Sequence, residues 1–121
     1  MEPIKTEIVV VGAGPGGYTA AFYAADRNQK VTLVEQNPRL GGICLNYGCI
    51  PSKALLHATE IVHEAKDSAA RGIEFGLPKI DLERLHAWKE AILEKLGQGI
   101  KGLAQKRGVQ VIHGRGHFED S

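Results

Sequence analysis

The sequence is poor in cysteine, in aromatic residues and in long apolar runs, and neither sign of charge is in excess. Two cysteines in 121 residues cannot build a disulfide framework, and alone they cannot fill the four-ligand shell of a structural zinc site. With 15 Lys+Arg against 14 Asp+Glu the net charge is +1, so nothing draws the chain to nucleic acid or to an acidic membrane surface, and neither is expected as a partner. The opening residues MEPIKTE carry acids where a secretory signal needs bases. The apolar run that follows, Ile8–Val11, is far too short for a signal core or a membrane span. A cytoplasmic protein is the expectation, and in that reducing compartment paired cysteines more often serve catalysis or metal binding than structure. The 43% hydrophobic content is that of an ordinary globular chain, long enough for one compact domain or a part of a larger one.

What is present is ordered. IVVVGAG (8–14) is a β-branched run ending in glycine, PGGYTAAFYAADRN (15–28) is helix-compatible, and KVTLVEQ (30–36) is a second apolar run. Pro15 suits a first helical turn and Asn28 a left-handed stop, so residues 4–35 read as strand, turn, helix and a second, parallel strand. Residues from Ser52 to about Arg71 read as another helix, with Leu55, Ala58, Val62, Ala65 and Ala69 on one apolar face. GIEFGLPK (72–79) is a loop or short extended piece. Asp81 is a good N-cap for a longer helix whose buried stripe is Leu82, Leu85, Ile92, Leu96, Ile100 and Leu103, weakened by Gly97, Gly99 and Gly102. Gly108 ends it, and VQVIHG (109–114) is a third strand. The fold class this implies is α/β, a Rossmann-like doubly wound parallel sheet that the chain leaves incomplete.

Gly12, Gly14 and Gly17 fit G-x-G-x-x-G between a strand and a helix. Each has a physical role, in order a tight turn, close approach of backbone to a pyrophosphate, and close packing of helix on strand. The helix start aims unpaired N–H groups at the anion. Glu35, at the end of the next strand, can accept hydrogen bonds from an adenosine ribose and would repel a 2′-phosphate. In that context a dinucleotide site outweighs a mere tight turn.

Cys44 and Cys49 stand in GGICLNYGCIPSK (41–53). One C-x4-C supplies only two zinc ligands, and the six-residue spacing of His57 and His63 places them on different helix faces, which argues against metal. Gly-Gly before the pair and Pro-Ser-Lys after it are poor core neighbours, which argues against simple packing. A redox pair has a mechanism. Cys49 sits at a helix start, where the dipole and free N–H groups stabilise a thiolate, and Lys53 adds positive charge one turn on. Cys44 lies in the preceding loop, freer to meet an outside thiol, and four intervening residues with Gly48 let the sulfurs meet. Trp88 reads as packing, and the five histidines as structural or solvated.

GAGPGGYTAA, the Glu-ended second strand and GGICLNYGCIPSKALLH together resemble the opening of the flavoprotein disulfide reductases. Within that family IPSK and WKEAILEKLGQGIKGLAQKRGVQVIHGRGHF are more similar to the dihydrolipoyl dehydrogenase branch than to glutathione reductases, which usually carry a second Lys at the position of Ser52; mercuric reductases share much of the cysteine stretch. Ile43 stands where Thr is usual and Tyr47 where Val is usual, changes that touch flavin-pocket packing and not the chemistry.

The resemblance implies FAD as the dinucleotide. Gly12, Gly14, Pro15 and Gly17 would hold the pyrophosphate and Glu35 the ribose. Gln36, Gly41, Gly42, Ile43 and Cys44 would line the site, Lys53 would approach the isoalloxazine, and the Gly116 backbone would meet the adenine end. Cys44 and Cys49 would form the redox-active disulfide, Cys44 as interchange thiol and Cys49 facing the flavin. Electrons would pass from dihydrolipoamide, carried on lipoyl domains of 2-oxo acid dehydrogenase complexes, through the disulfide and FAD to NAD+, in a homodimer. Residues 1–121 would be the N-terminal part of the FAD-binding domain, with NAD-binding and dimerisation domains outside this chain. Two alternatives stay open: another branch of the family, such as a mercuric or glutathione reductase, and a non-catalytic dinucleotide-binding or redox module.

Overall fold

A computed structural model describes residues 2–120. Three strands, β1 (Ile8–Val11), β2 (Val31–Glu35) and β3 (Gln110–His113), form one parallel sheet in the order β1-β2-β3. The helices are α1 (Pro15–Ala25), α2 (Gly42–Tyr47), α3 (Cys49–Asp67) and α4 (Leu82–Lys106), with a 3-10 turn, Ser68–Arg71, closing α3. This is the expected Rossmann-like α/β arrangement with part of its sheet.

The register explains the core. Val10 pairs with Leu33 and Leu33 with Val111, so one sheet face presents a continuous apolar row. That row packs with Ala21 of α1 and with Leu93, Ile100 and Ala104 of α4. Val31, Leu33 and Leu93 are essentially out of water, and each such side chain contributes about 1.5–3 kcal/mol of hydrophobic stabilisation. Arg107, just past α4, pairs with Asp26, just past α1, at 2.9 Å and ties the two helix ends together. On the opposite face Val9 and Val11 remain more than half exposed, so among the described residues the helices cover one side of the sheet.

Local signals set most boundaries as expected. Pro15 occupies the first turn of α1, and Asn28 adopts a left-handed φ of 62° in the turn after it. Asp81 caps α4, its side chain accepting from the Arg84 N–H at 3.0 Å, and Gly108 follows the helix at φ 68°.

Four expectations shift. The segment before Cys49 is a helix and not a loop, because Gly41 and Gly42 adopt φ of 112° and 63° and turn the chain straight into α2. The buried stripe of α4 is Leu93, Gly97, Ile100 and Ala104, leaving Leu82, Leu96 and Leu103 exposed. Small residues won that face: a Cβ on Gly97 would come within 2.5 Å of Arg39 Cγ. On α3 no side chain is fully buried, and Leu55 and Ala69 are exposed while Ala58, Val62 and Ala65 are half-buried. Trp88 is 42% exposed and is not core packing.

Candidate dinucleotide and dithiol site

The glycine loop is shaped by contacts that only glycine permits. Gly12 turns at φ 98° while its N–H donates to the Val34 carbonyl at 2.7 Å, carrying the chain off β1. A Cβ on Gly17 would run into the Gly12 carbonyl oxygen, so this glycine seats α1 against the loop, the third of the expected roles. A Cβ on Gly42 would lie 2.5 Å from Gly14 Cα, so the start of α2 presses directly on the loop. The Gly41 N–H donates to the Ala13 carbonyl at 2.8 Å and fixes that approach.

Glu35 closes the other side. It is only 4% exposed, and both carboxylate oxygens are engaged by the protein. Oε2 accepts from the Ala13 N–H at 2.7 Å; Oε1 accepts from the Asn37 N–H at 2.8 Å and from Asn37 Nδ2 at 3.1 Å. Burial works to raise this carboxyl's pKa, but the bonds from the Asn37 and Ala13 backbones, with help from the Asn37 side chain and the Gln36 N–H, outweigh it and hold it below the usual carboxylate range. Oε2, with one donor against two on Oε1, retains lone-pair capacity for a further donor.

Between these walls lies a cavity of about 330 Å3 bordered by Gly12, Gly14, Glu35, Gln36, Gly42, Ile43 and Gly116. A gap of that size suits one end of an extended ligand. Asn37 and Arg115 also line it, and sequence reading named neither. Their placement depends on the turn after β2 and on the Gly114 N–H, which bonds the Glu35 carbonyl at 2.8 Å and folds the chain back over β1. Tyr47 stands away from this cavity. It borders a larger groove of about 810 Å3 beside α4, in which Arg39 and Lys89 are already paired with Glu90 and Glu94.

The cysteines come together because the helix breaks between them. In one continuous α-helix, residues five apart point about 140° away from each other. Gly48, at φ −130° and ψ −103°, separates α2 from α3 and packs 3.2 Å (as its would-be Cβ) from the Ile43 carbonyl oxygen, a fit a side chain would strain. Cys44 on α2 is thereby brought beside Cys49 on the first turn of α3. Interaction with the Cys49 thiol, with desolvation and the charge of Cys49, pushes the Cys44 thiol up, against the pull of the Cys49 backbone and the Lys53 charge. Cys44 is half-buried and Cys49 exposed, the reverse of the exposure expected from sequence. Both are thiols in this structure.

Lys53 is exposed on α3 and borders a separate shallow hollow rather than the glycine-loop cavity. His57 and His63 share that hollow with Glu60, which His57 approaches at 3.8 Å, so the two histidines are nearer one surface than their spacing suggests. Among the described residues no three potential ligands gather into a metal site. No helix among them is long and apolar enough to cross a membrane.

Comparison with known proteins places this arrangement. The sequence profile of the pyridine nucleotide-disulphide oxidoreductases matches residues 6–121. Dihydrolipoyl dehydrogenase of Haemophilus influenzae is 50% identical over 118 residues, covering 98% of this chain and 25% of the relative. Those of Vibrio parahaemolyticus and Geobacillus stearothermophilus are 48% and 47% identical over 95% and 98% of this chain. The chain spans 24–25% of the length of these relatives. A glycine loop pressed against a two-thiol helix start, carried by a sequence that matches over nearly its whole length, belongs to the pyridine nucleotide-disulphide oxidoreductase family.

Proposed function

We propose that this chain forms the dinucleotide- and dithiol-bearing part of a dihydrolipoyl dehydrogenase, an FAD-dependent enzyme of the cytoplasm that oxidises dihydrolipoamide with NAD+. The observation that carries this reading is the single piece of backbone, Gly41–Gly42, that both presses on the glycine loop and starts the helix holding Cys44. A dinucleotide site and a dithiol therefore share a wall.

The residues present fit FAD. The contact of Gly42 with Gly14 leaves bare backbone facing the cavity, and Glu35 keeps acceptor capacity at its far end. Gly12, Gly14, Pro15, Gly17 and the α1 N–H groups would hold the pyrophosphate, and Glu35 the ribose. Gln36, Gly41, Gly42, Ile43 and the Gly116 backbone would form the walls. When bound, FAD supplies a two-electron acceptor next to the dithiol. Cys49 stands at the first turn of α3, while Cys44 holds its proton more firmly; these support Cys49 as the flavin-side sulfur and Cys44 as the interchange thiol. Lys53 would add positive charge beside them, toward the isoalloxazine.

Residues 1–121 would constitute the N-terminal part of the FAD-binding domain. NAD+ binding and homodimer formation would belong to further domains, a view supported by the greater length of the relatives. Their names support a dihydrolipoyl group as the substrate, which would be presented on lipoyl domains of 2-oxo acid dehydrogenase complexes. Thiol counting tests the reading. Two thiols should disappear together when the folded chain meets glutathione disulfide and reappear together on mild reduction. Two thiols that persist in the folded, oxidant-treated chain would defeat it.

A further inference from the structure

We propose that Asn46 is a positioning residue for the Cys44–Cys49 pair, acting through the backbone turn at Arg39–Gly42. This inference rests on the redox reading of the pair. Asn46 lies inside α2, between the two cysteines, and is 9% exposed, one of the few buried polar side chains among the described residues. Asparagine is a poor choice for a helix interior, so its place there calls for a tertiary cause.

The cause is a set of bonds to the turn that feeds the helix. Nδ2 donates to the Gly42 carbonyl at 2.9 Å and lies 3.4 Å from the carbonyls of Arg39 and Leu40. Oδ1 accepts from Arg39 Nη1 at 3.4 Å. The same guanidinium reaches Glu94 Oε2 at 3.2 Å and Glu90 Oε2 at 3.5 Å, while the stem of Arg39 lies over Gly97. One carboxamide thus connects the left-handed Gly41–Gly42 turn to α4.

A six-residue helix has no stability of its own. Cys44 keeps its place beside Cys49 only while the start of α2 is held against the loop and α4. Asn46 supplies that hold from inside α2. Its effect is preorganisation: the sulfurs are near each other before oxidation, so closing the disulfide costs less ordering.

The test is the equilibrium between dithiol and disulfide in glutathione buffers, measured on the 121-residue chain. On oxidation two S–H bonds are lost and one S–S bond forms. The two electrons and two protons reduce glutathione disulfide to two glutathione molecules. Asn46→Leu keeps the branched shape and removes every side-chain polar bond; its equilibrium constant for disulfide formation should fall about tenfold, equivalent to a potential about 30 mV less negative. Arg39→Ala, at the outer end of the network, should lower it about threefold, an order-of-magnitude expectation for losing one part of the hold. Leu93→Ala, which weakens the core but removes no polar bond to the turn, should leave the constant within twofold of wild type while lowering the melting temperature. Should Asn46→Leu fail to fold, Arg39→Ala decides alone. Constants within twofold of wild type in the folded variants, or an equal fall in Leu93→Ala, would overturn the proposal. A wild-type chain that forms no disulfide would instead defeat the redox reading on which it rests.

Discussion

The strand–helix–strand unit with the α4 face packed on it, and helix α3, hold their shapes in different ways. In the first, β2 buries Val31, Thr32, Leu33 and Glu35, and glycines bring backbone to within contact of backbone. In the second, α3 buries no side chain completely and leaves Leu56 and Ile61 more than half exposed. Yet the site draws on both, since Cys44 is anchored toward the glycine loop and Cys49 opens the exposed helix. Tolerance of change should therefore fall sharply from α3 to the loop, with the thiols at the boundary.

The severest way to break that contrast is Gly17→Ala. Its methyl group would meet the Gly12 carbonyl, and backbone has little room to yield, so destabilisation of about 3 kcal/mol or more is expected in urea unfolding. Leu93→Ala, at a side chain 1% exposed, should cost about 3 kcal/mol by the same measurement. A small effect at either position would mean that the packed half is looser than its contacts indicate.

Glu35→Gln sharpens the comparison by charge. It turns an acceptor into a donor facing N–H groups, and about 2 kcal/mol should be lost at neutral pH. The folded-state pKa of Glu35 lies below its ordinary value of 4.5, so its stabilising contribution is present above the unfolded pKa and disappears as pH falls through the folded one. The gap between wild type and Glu35→Gln should close in acid. A gap that stays constant to low pH would contradict the assignment.

At the boundary, limited alkylation near neutral pH should modify Cys49 at least about threefold faster than Cys44, because Cys49 is exposed and the Cys44 thiol is held up. Peptide mass analysis would read this, and preferential labelling of Cys44 would contradict the exposure and thiol order of the pair in this structure. The smallest effect belongs to Ile61→Ala on α3, within about 0.5 kcal/mol of wild type.

The same contrast governs what the sequence discloses. The first unit is legible because each signal is local: an apolar run, a glycine where φ turns positive, a proline at the helix start, a carboxylate at a strand end. The α2 helix is not, because six residues after Gly-Gly carry no period to detect, and the bend at Gly48 exists only in three dimensions. On α4 the larger apolar residues form one plausible stripe, but close approach of Arg39 selected the stripe containing Gly97 and Ala104. Arg39 and Asn46 were missed because their partners are backbone carbonyls or distant carboxylates, and Asn37 because its bonds to Glu35 arise only from the turn after β2.

The central claim, that the glycine loop and the start of the dithiol helix form one dinucleotide-binding wall, is tested most directly by titrating ADP into the isotope-labelled chain and following backbone amides by NMR. Binding tight enough to survive purification is not required. Saturable shifts are expected at Gly12, Gly14, Gly42 and Gly116, the backbone that borders the cavity beside Glu35, with little change along the exposed face of α3. Shifts confined to the groove beside α4, or none at millimolar ADP, would contradict it.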